Sequence, residues 1–222
     1  EFVSSTPMTI TPKYTNSGVT LRYSLDGITW TPIGSGVTTP SANIIYFIGR
    51  AAGTKSLYTA SSSSNAWAFT GATNLECNGK LDRLLQDDLG GDSDILTIGN
   101  YCFSYMFYNV TKLIKAPALP ATTLATNCYN GMFSGCTSLT SAPALQATTL
   151  ATNCYQSMFR GCTSLKLSTT MMGIYDTAYR IPTSGTGTTA SNALIDMFIG
   201  TGGTFTGTPE INTTYYTENT PV

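Results

Sequence analysis

Six cysteines and one tight group of aspartates are the residues whose types and spacing first invite chemistry. Cys102, Cys128 and Cys154 recur at a fixed interval, and Cys136 and Cys162 recur at the same one. Sulfur at such spacing raises a metal site, disulfides, or a buried apolar slot repeated along the chain. The metal reading is poor, because the chain has no C-x-x-C pair and no histidine. Equivalent slots in successive repeats predict small inward-facing hydrophobes, with a disulfide between neighbouring rungs as the alternative. Cys77 stands outside both series.

Asp87, Asp88, Asp92 and Asp94 surround the pair Gly90-Gly91 and form the only carboxylate cluster in the sequence. Oxygen-rich glycine turns suit calcium, but the spacing and terminal glutamate of an EF-hand are missing. These four are weak calcium candidates in what otherwise reads as a solvated loop. A carboxylate pair for glycoside hydrolysis is disfavoured, since nothing else marks a cleft. Without histidine the chain also lacks the commonest general base and the usual activator of serine or cysteine nucleophiles. The expectation is a protein that is not an enzyme and uses no cofactor.

Only 10% of the residues are charged and the formal net charge is −1, so the surface is neutral and rich in hydroxyls. That balance gives no footprint for nucleic acid and no polybasic patch for an anionic membrane. No apolar stretch is long enough to predict a transmembrane segment. Glu1-Phe2-Val3 runs straight into strand-like sequence, as in a fragment or a mature form.

The elements that must position these residues fall into two styles. Over residues 1–70, alternation at Met8–Thr11 and Val19–Leu25 and an apolar run at Ile44–Ile48 predict about six short strands. Asp26-Gly27 predicts a hairpin with a tight turn. This segment reads as an immunoglobulin-like β-sandwich with Tyr23, Trp30, Tyr46 and Trp67 as core aromatics. Residues 71–94 read as a linker with a capping helix at Leu81–Leu85.

From residue 95 to 222 the sequence is repetitive. The segment Ala116–Ser141 recurs, largely unchanged, from Ala142 to Leu167. Cys102, Met106, Phe107 and Leu113 fit an earlier copy, and Met197-Phe198 a later one, giving about four coils. Cys128, Met132, Phe133 and Cys136 are spaced to put an inward stripe on a short helix, while Leu139–Leu145 reads as strand. The fold expected is mainly β with short helices, a sandwich followed by a solenoid whose ends are capped by the sandwich and by the segment from Ser168 onwards.

Two stretches, Asn100-Tyr101-Cys102-Phe103 and Met132-Phe133-Ser134-Gly135-Cys136-Thr137-Ser138-Leu139-Thr140, resemble the BspA-like leucine-rich repeat in its Met-Phe variant. Thr20–Trp30 resembles a Tyr-Ser-x-Asp-Gly-x-x-Trp hairpin that often precedes such repeats. The resemblance implies exposure on a bacterial cell surface or a phage virion, adhesion, and no catalytic residues. The function expected is therefore extracellular recognition of a cell-surface protein or glycan. A structural spacer or decoration domain contacting neighbouring subunits is the alternative. Positions that differ in polarity between the two near-identical coils predict a solvent-facing binding set: Asn130, Ser134, Gln156, Arg160 and Lys166.

Overall fold

The computed structural model describes residues 1–51, 53, 55–86, 96–187 and 192–218. The chain is mainly β. Its first strand, β1 (Phe2–Thr11), buries Phe2, Ser4, Met8 and Ile10 and breaks step at Pro7, whose missing N–H cannot serve a ladder. The register shifts between Val3 and Met8, so the two halves of the strand serve different partners. The first half pairs with β4 (Ala42–Ala51) and β6 (Leu75–Cys77); after the shift Met8 still pairs with Ala42 of β4, and Thr9–Thr11 pair with β5 (Ala68–Thr70). β2 (Val19–Ser24) lies against β4 and against β3 (Thr31–Ile33), giving the order β3-β2-β4-β1-β6-β7. β7 (Leu113–Lys115) joins β6 in parallel and belongs to the repeats.

Asp26-Gly27 does sit in a hairpin, between β2 and β3, but the tight turn is replaced by a longer loop. The Asp26 carboxylate accepts from Ile28 N, Thr29 N and Ser24 Oγ at 2.7–2.8 Å. Those bonds hold its pKa well below the usual carboxylate range, and Gly27 takes the positive φ of 73°. Of the four expected core aromatics only Trp67 is buried, with its indole N–H donating to Lys13 O. Tyr58, not foreseen, joins it and donates to Asn65 O. Trp30 and Tyr46 remain half-buried because they sit on the β2–β3 loop and on the outward side of β4, while Tyr23, in phase with Val19 and Leu21 at the end of β2, is half-buried against the core.

The repeats contain no α-helix among the described residues; the helical pieces are two 3-10 turns, Ser63–Asn65 and Leu81–Leu84. Where a helix was expected, each repeat forms a ribbon of overlapping β-turns: 101–109, 127–135, 153–161 and 192–200, here called tiers 1 to 4. In tier 2, the N–H groups of Asn130, Met132, Ser134 and Cys136 each bond the carbonyl three residues back. The intervening N–H groups of Asn127, Tyr129, Gly131, Phe133 and Gly135 bond carbonyls of tier 3 or, for Asn127, the residue just before it, at 2.7–2.9 Å. Every fourth residue has positive φ: Asn127, Gly131 and Gly135 in tier 2, Asn153, Ser157 and Gly161 in tier 3. Asparagine and glycine tolerate that conformation better than other residues do.

Because the turns repeat every four residues, inward positions come in pairs. Cys128, Tyr129, Met132 and Phe133 are buried, as are their counterparts in every other tier. Phe107, Phe133, Phe159 and Phe198 stack with centroids 5.4–5.6 Å apart and planes within 9°. Phe103, Tyr129 and Tyr155 form a second stack. The first stack continues through Phe69 to Phe2, so sheet and tiers share one core.

Both ends of the stack have their polar groups covered. On tier 1, Ser56 Oγ, Leu57 N, Asn65 Nδ2 and Trp67 N donate to the carbonyls of Asn100, Cys102, Ser104 and Met106. On tier 4, the N–H groups of Leu194, Asp196, Phe198 and Gly200 are taken by Gly187 O, Thr208 Oγ1, Gly207 O and Thr206 Oγ1. Beside tier 4, β8 (Lys166–Ser168), β9 (Tyr175–Arg180), β10 (Gly202–Gly203) and β11 (Thr214–Glu218) form a second mixed sheet in the order β10-β8-β11-β9. Both sheets are open.

Candidate functional site

The five residues expected to face solvent do not form one patch. Asn130 is only 4% exposed and Ser134 8%, which corrects the expectation for both. The reason is the stacking: side chains at one ribbon position lie above each other, so a polar ladder covers itself. Asn130 Nδ2 donates to Gln156 Oε1 of the next tier at 2.8 Å and to Asn127 Oδ1, while Ser104 Oγ donates to Asn130 O from the tier before. Ser134 shares its ribbon position with the larger Tyr108 and Arg160 on either side. Gln156 is half-buried. Arg160 is exposed, with Nη1 paired to Asp196 Oδ2 at 2.8 Å. Lys166 lies off the ribbon on β8, paired to Glu218. Asp87, Asp88, Asp92 and Asp94 lie outside the described residues.

All six cysteines are buried free thiols. Cys136 Sγ donates to Phe107 O and Cys162 Sγ to Phe133 O, each a carbonyl of the preceding tier, at 3.0–3.1 Å. Burial pushes the Cys77, Cys154 and Cys162 thiols up to about 12. Cys102, Cys128 and Cys136 are also raised well above the usual thiol value, by burial first and then by the neighbouring thiol of the same ladder. Such thiols are poor nucleophiles, since the thiolate is the reactive form. Among the described residues, no three histidine, cysteine, aspartate or glutamate side chains are grouped to hold a metal ion.

A different set of residues is gathered where the first sheet meets the tiers. A groove of about 800 Å³ is walled by Trp30, Tyr46 and Phe47 on one side and by Lys80, Arg83 and Leu84 on the other. A second hollow of about 690 Å³ adjoins it through the shared segment 77–80 and runs over Lys115, Pro117, Pro120, Pro143 and Gln146. Its floor is set by backbone pairing: Ala118 N donates to Gly79 O, Leu81 N to Ala118 O, and Lys115 bridges in parallel to Ser141. Successive rungs thus present their Ala-Pro-Ala-Leu segments side by side.

Asn78 lines both hollows, and its buried Oδ1 has no hydrogen-bond partner. Lys80 and Lys115 add cations along the groove, and Arg83, whose Nη1 donates to Gln86 Oε1, adds a third; Glu1 supplies a carboxylate at one end. Aromatic faces, amides and cations in one cleft can hold a ligand by stacking, hydrogen bonds and charge. Trp30 and Tyr46, expected in the core, are thereby placed on a wall of this groove. Asn78, Lys80, Arg83 and Lys115 were not foreseen. The one sequence signal was Pro120/Gln146, a position where otherwise matching repeats differ and which lines the second hollow.

Compared with protein families, with characterised proteins and with solved structures, the chain matches none.

Proposed function

We propose that the chain is a non-catalytic recognition module, working outside the cell on a bacterial surface or on a phage virion, where it attaches to a cell-surface protein or glycan. In this reading residues 1–70 are an immunoglobulin-like β-sandwich, residues 71–94 join it to the repeats, and residues 95–222 are a BspA-like leucine-rich-repeat solenoid. The split pairing of β1 supports the first assignment, because a strand that serves two sets of partners is a means of joining two sheets. The one-tier hydrogen-bond ladder supports the second, since stacking of units that cannot bury their own apolar face defines a solenoid.

The observation that carries the functional reading is the continuous groove across the junction. Much of its lining is carried by β1, β4, β6 and β7 or by backbone bridged to them, so a ligand meets a surface that is already ordered, and association loses less conformational entropy. The test is binding of fluorescently labelled protein to a panel of bacterial cells, purified surface glycans and matrix proteins. Saturable, strain-restricted binding that Trp30→Ala weakens supports the proposal. A folded protein that binds nothing in the panel overturns it in favour of the spacer reading, in which the chain contacts only neighbouring subunits.

A further inference from the structure

We propose that the groove at the sheet–tier junction takes an acidic oligosaccharide. This rests on reading the groove as the recognition site, and four features of its lining specify the ligand.

Trp30 and Tyr46 are half-buried on the same groove wall, where aromatic rings pack against the apolar C–H faces of sugar rings. The floor of the second hollow carries Pro117, Pro120 and Pro143, none of which has an N–H. A peptide strand adding itself to this edge would need a regular row of donors and acceptors, and the prolines interrupt that row. A sugar, which bonds through scattered hydroxyls, has no such requirement.

Asn78 Oδ1 is a buried acceptor without a partner at the point where the two hollows meet. That oxygen is closed off, as are the unpartnered Oδ1 atoms of Asn130 and Asn153, but the Asn78 side chain as a whole is half-buried at the groove and offers an amide of the kind that bonds sugar hydroxyls. Lys115 is half-buried on β7 and, among the described residues, its ammonium makes neither an ion pair nor a hydrogen bond. Its register partner on β6 is Glu76, with which it makes no ion pair, and it shares the lining of the second hollow with Gln146; a cation held there matches an anionic group on the sugar, carboxylate or sulfate.

The experiment is calorimetric titration of the full chain with three probes of equal length: a uronic-acid oligomer, its carboxyl-reduced neutral counterpart, and a sulfated neutral oligomer. The expected result is binding of at least one acidic probe about tenfold tighter than the neutral one, as one additional charge-assisted contact gives. That preference should shrink as salt is raised. Lys115→Met keeps length and apolar bulk, and should reduce the acidic probe to the affinity of the neutral one. Trp30→Ala should weaken all probes alike; the melting temperature of each variant reports whether it is folded.

Tighter binding of the uronate identifies a carboxylate, and tighter binding of the sulfated probe a sulfate. Equal binding of all three, or a preference for acid that survives Lys115→Met, overturns the inference. Cell binding that no saccharide competes away overturns it too, while leaving the recognition reading standing. Absence of any cell or glycan binding removes both.

Discussion

The first sheet and the tier stack share a core but close their backbones by different rules. In the sheet, β4 gives one edge to β1 and the other to β2, and each strand lies between neighbours of different sequence. In the stack, alternate N–H groups stay within their own ribbon and the rest reach one tier onward, each to the carbonyl just before its own counterpart. Sequence changes in the sheet are therefore local matters of fit. A change in a tier meets its own counterpart on either side, so tolerance depends on ladders and not on single contacts. The groove lies where these two systems are joined by the parallel pairing of β6 and β7, and unrelated side chains from both regions line it.

The sharpest contrast should be in alkali. Five of the six buried thiols, Cys102, Cys128, Cys136, Cys154 and Cys162, belong to the stack, against Cys77 alone in the sheet. Their pKa values are raised on folding, to about 12 at Cys154 and Cys162, above an unfolded value near 8.5. The neutral thiol is thus favoured by the fold. Stability is complete below the unfolded value and is lost as pH climbs toward the folded one. At pH 10 each thiol withdraws roughly 2 kcal/mol, so five together approach the whole stability of an ordinary domain. Denaturant midpoints should fall steeply between pH 8.5 and 10. Replacing Cys102, Cys128 and Cys154 by alanine, which tier 4 already carries as Ala193, should flatten that dependence. An unchanged pH profile in the triple variant would refute the account.

Aromatic truncation should separate the regions by reach more than by size. Phe133→Ala, in the middle of the stack, and Phe47→Ala, in the sheet, each empty a buried ring site and should cost about 3–5 kcal/mol. Phe133 has stacked partners in the tiers on both sides. Amide-exchange protection should accordingly drop in tiers 1 and 3 as well as in tier 2, whereas Phe47→Ala should leave tiers 3 and 4 protected.

A narrower probe of the ladder rule is Gly131. It has a φ of 57°, and a Cβ there would run into the ring of Tyr105, which lies over it from tier 1. Gly131→Ala should cost about 1–3 kcal/mol from the backbone and the collision together. Tyr105→Ala should relieve the collision and leave the backbone part, so the double variant should lose less than the sum of the singles. Strict additivity in thermal unfolding would show that the ring does not govern this site.

The inward set was legible in the sequence because Cys128, Met132, Phe133 and Cys136 repeat with a four-residue step. That step is near the helical period of 3.6, which is why the spacing predicts a helix where the chain forms a ribbon. The discriminating residues were present: Asn127, Gly131 and Gly135 also fall four apart, and a series of this kind weakens a helix while suiting one positive φ per double turn. The groove left no comparable trace. Trp30, Asn78, Lys115 and Gln146 are far apart in the chain and are brought together by strand order, which no local pattern encodes. For Asn130, polarity does not mean exposure: its Nδ2 bonds the next tier away from solvent, although its Oδ1 there has no partner.

That last point separates two residues which the sequence grouped together. Arg160→Ala removes a salt bridge whose arginine side chain is 53% exposed, and surface pairs of this kind contribute about 0–1 kcal/mol. Asn130→Ala removes two donated bonds from a buried amide and leaves Gln156 Oε1 without that donor. Its cost should exceed that of Arg160→Ala and fall at about 1–3 kcal/mol. Chemical denaturation of the two single variants decides the order. Asn130→Ala as mild as Arg160→Ala would mean that water enters between the tiers and that the polar ladder is wet. The stack would then hold by its aromatic interior alone, and the contrast with the sheet would narrow to hydrogen-bond pattern.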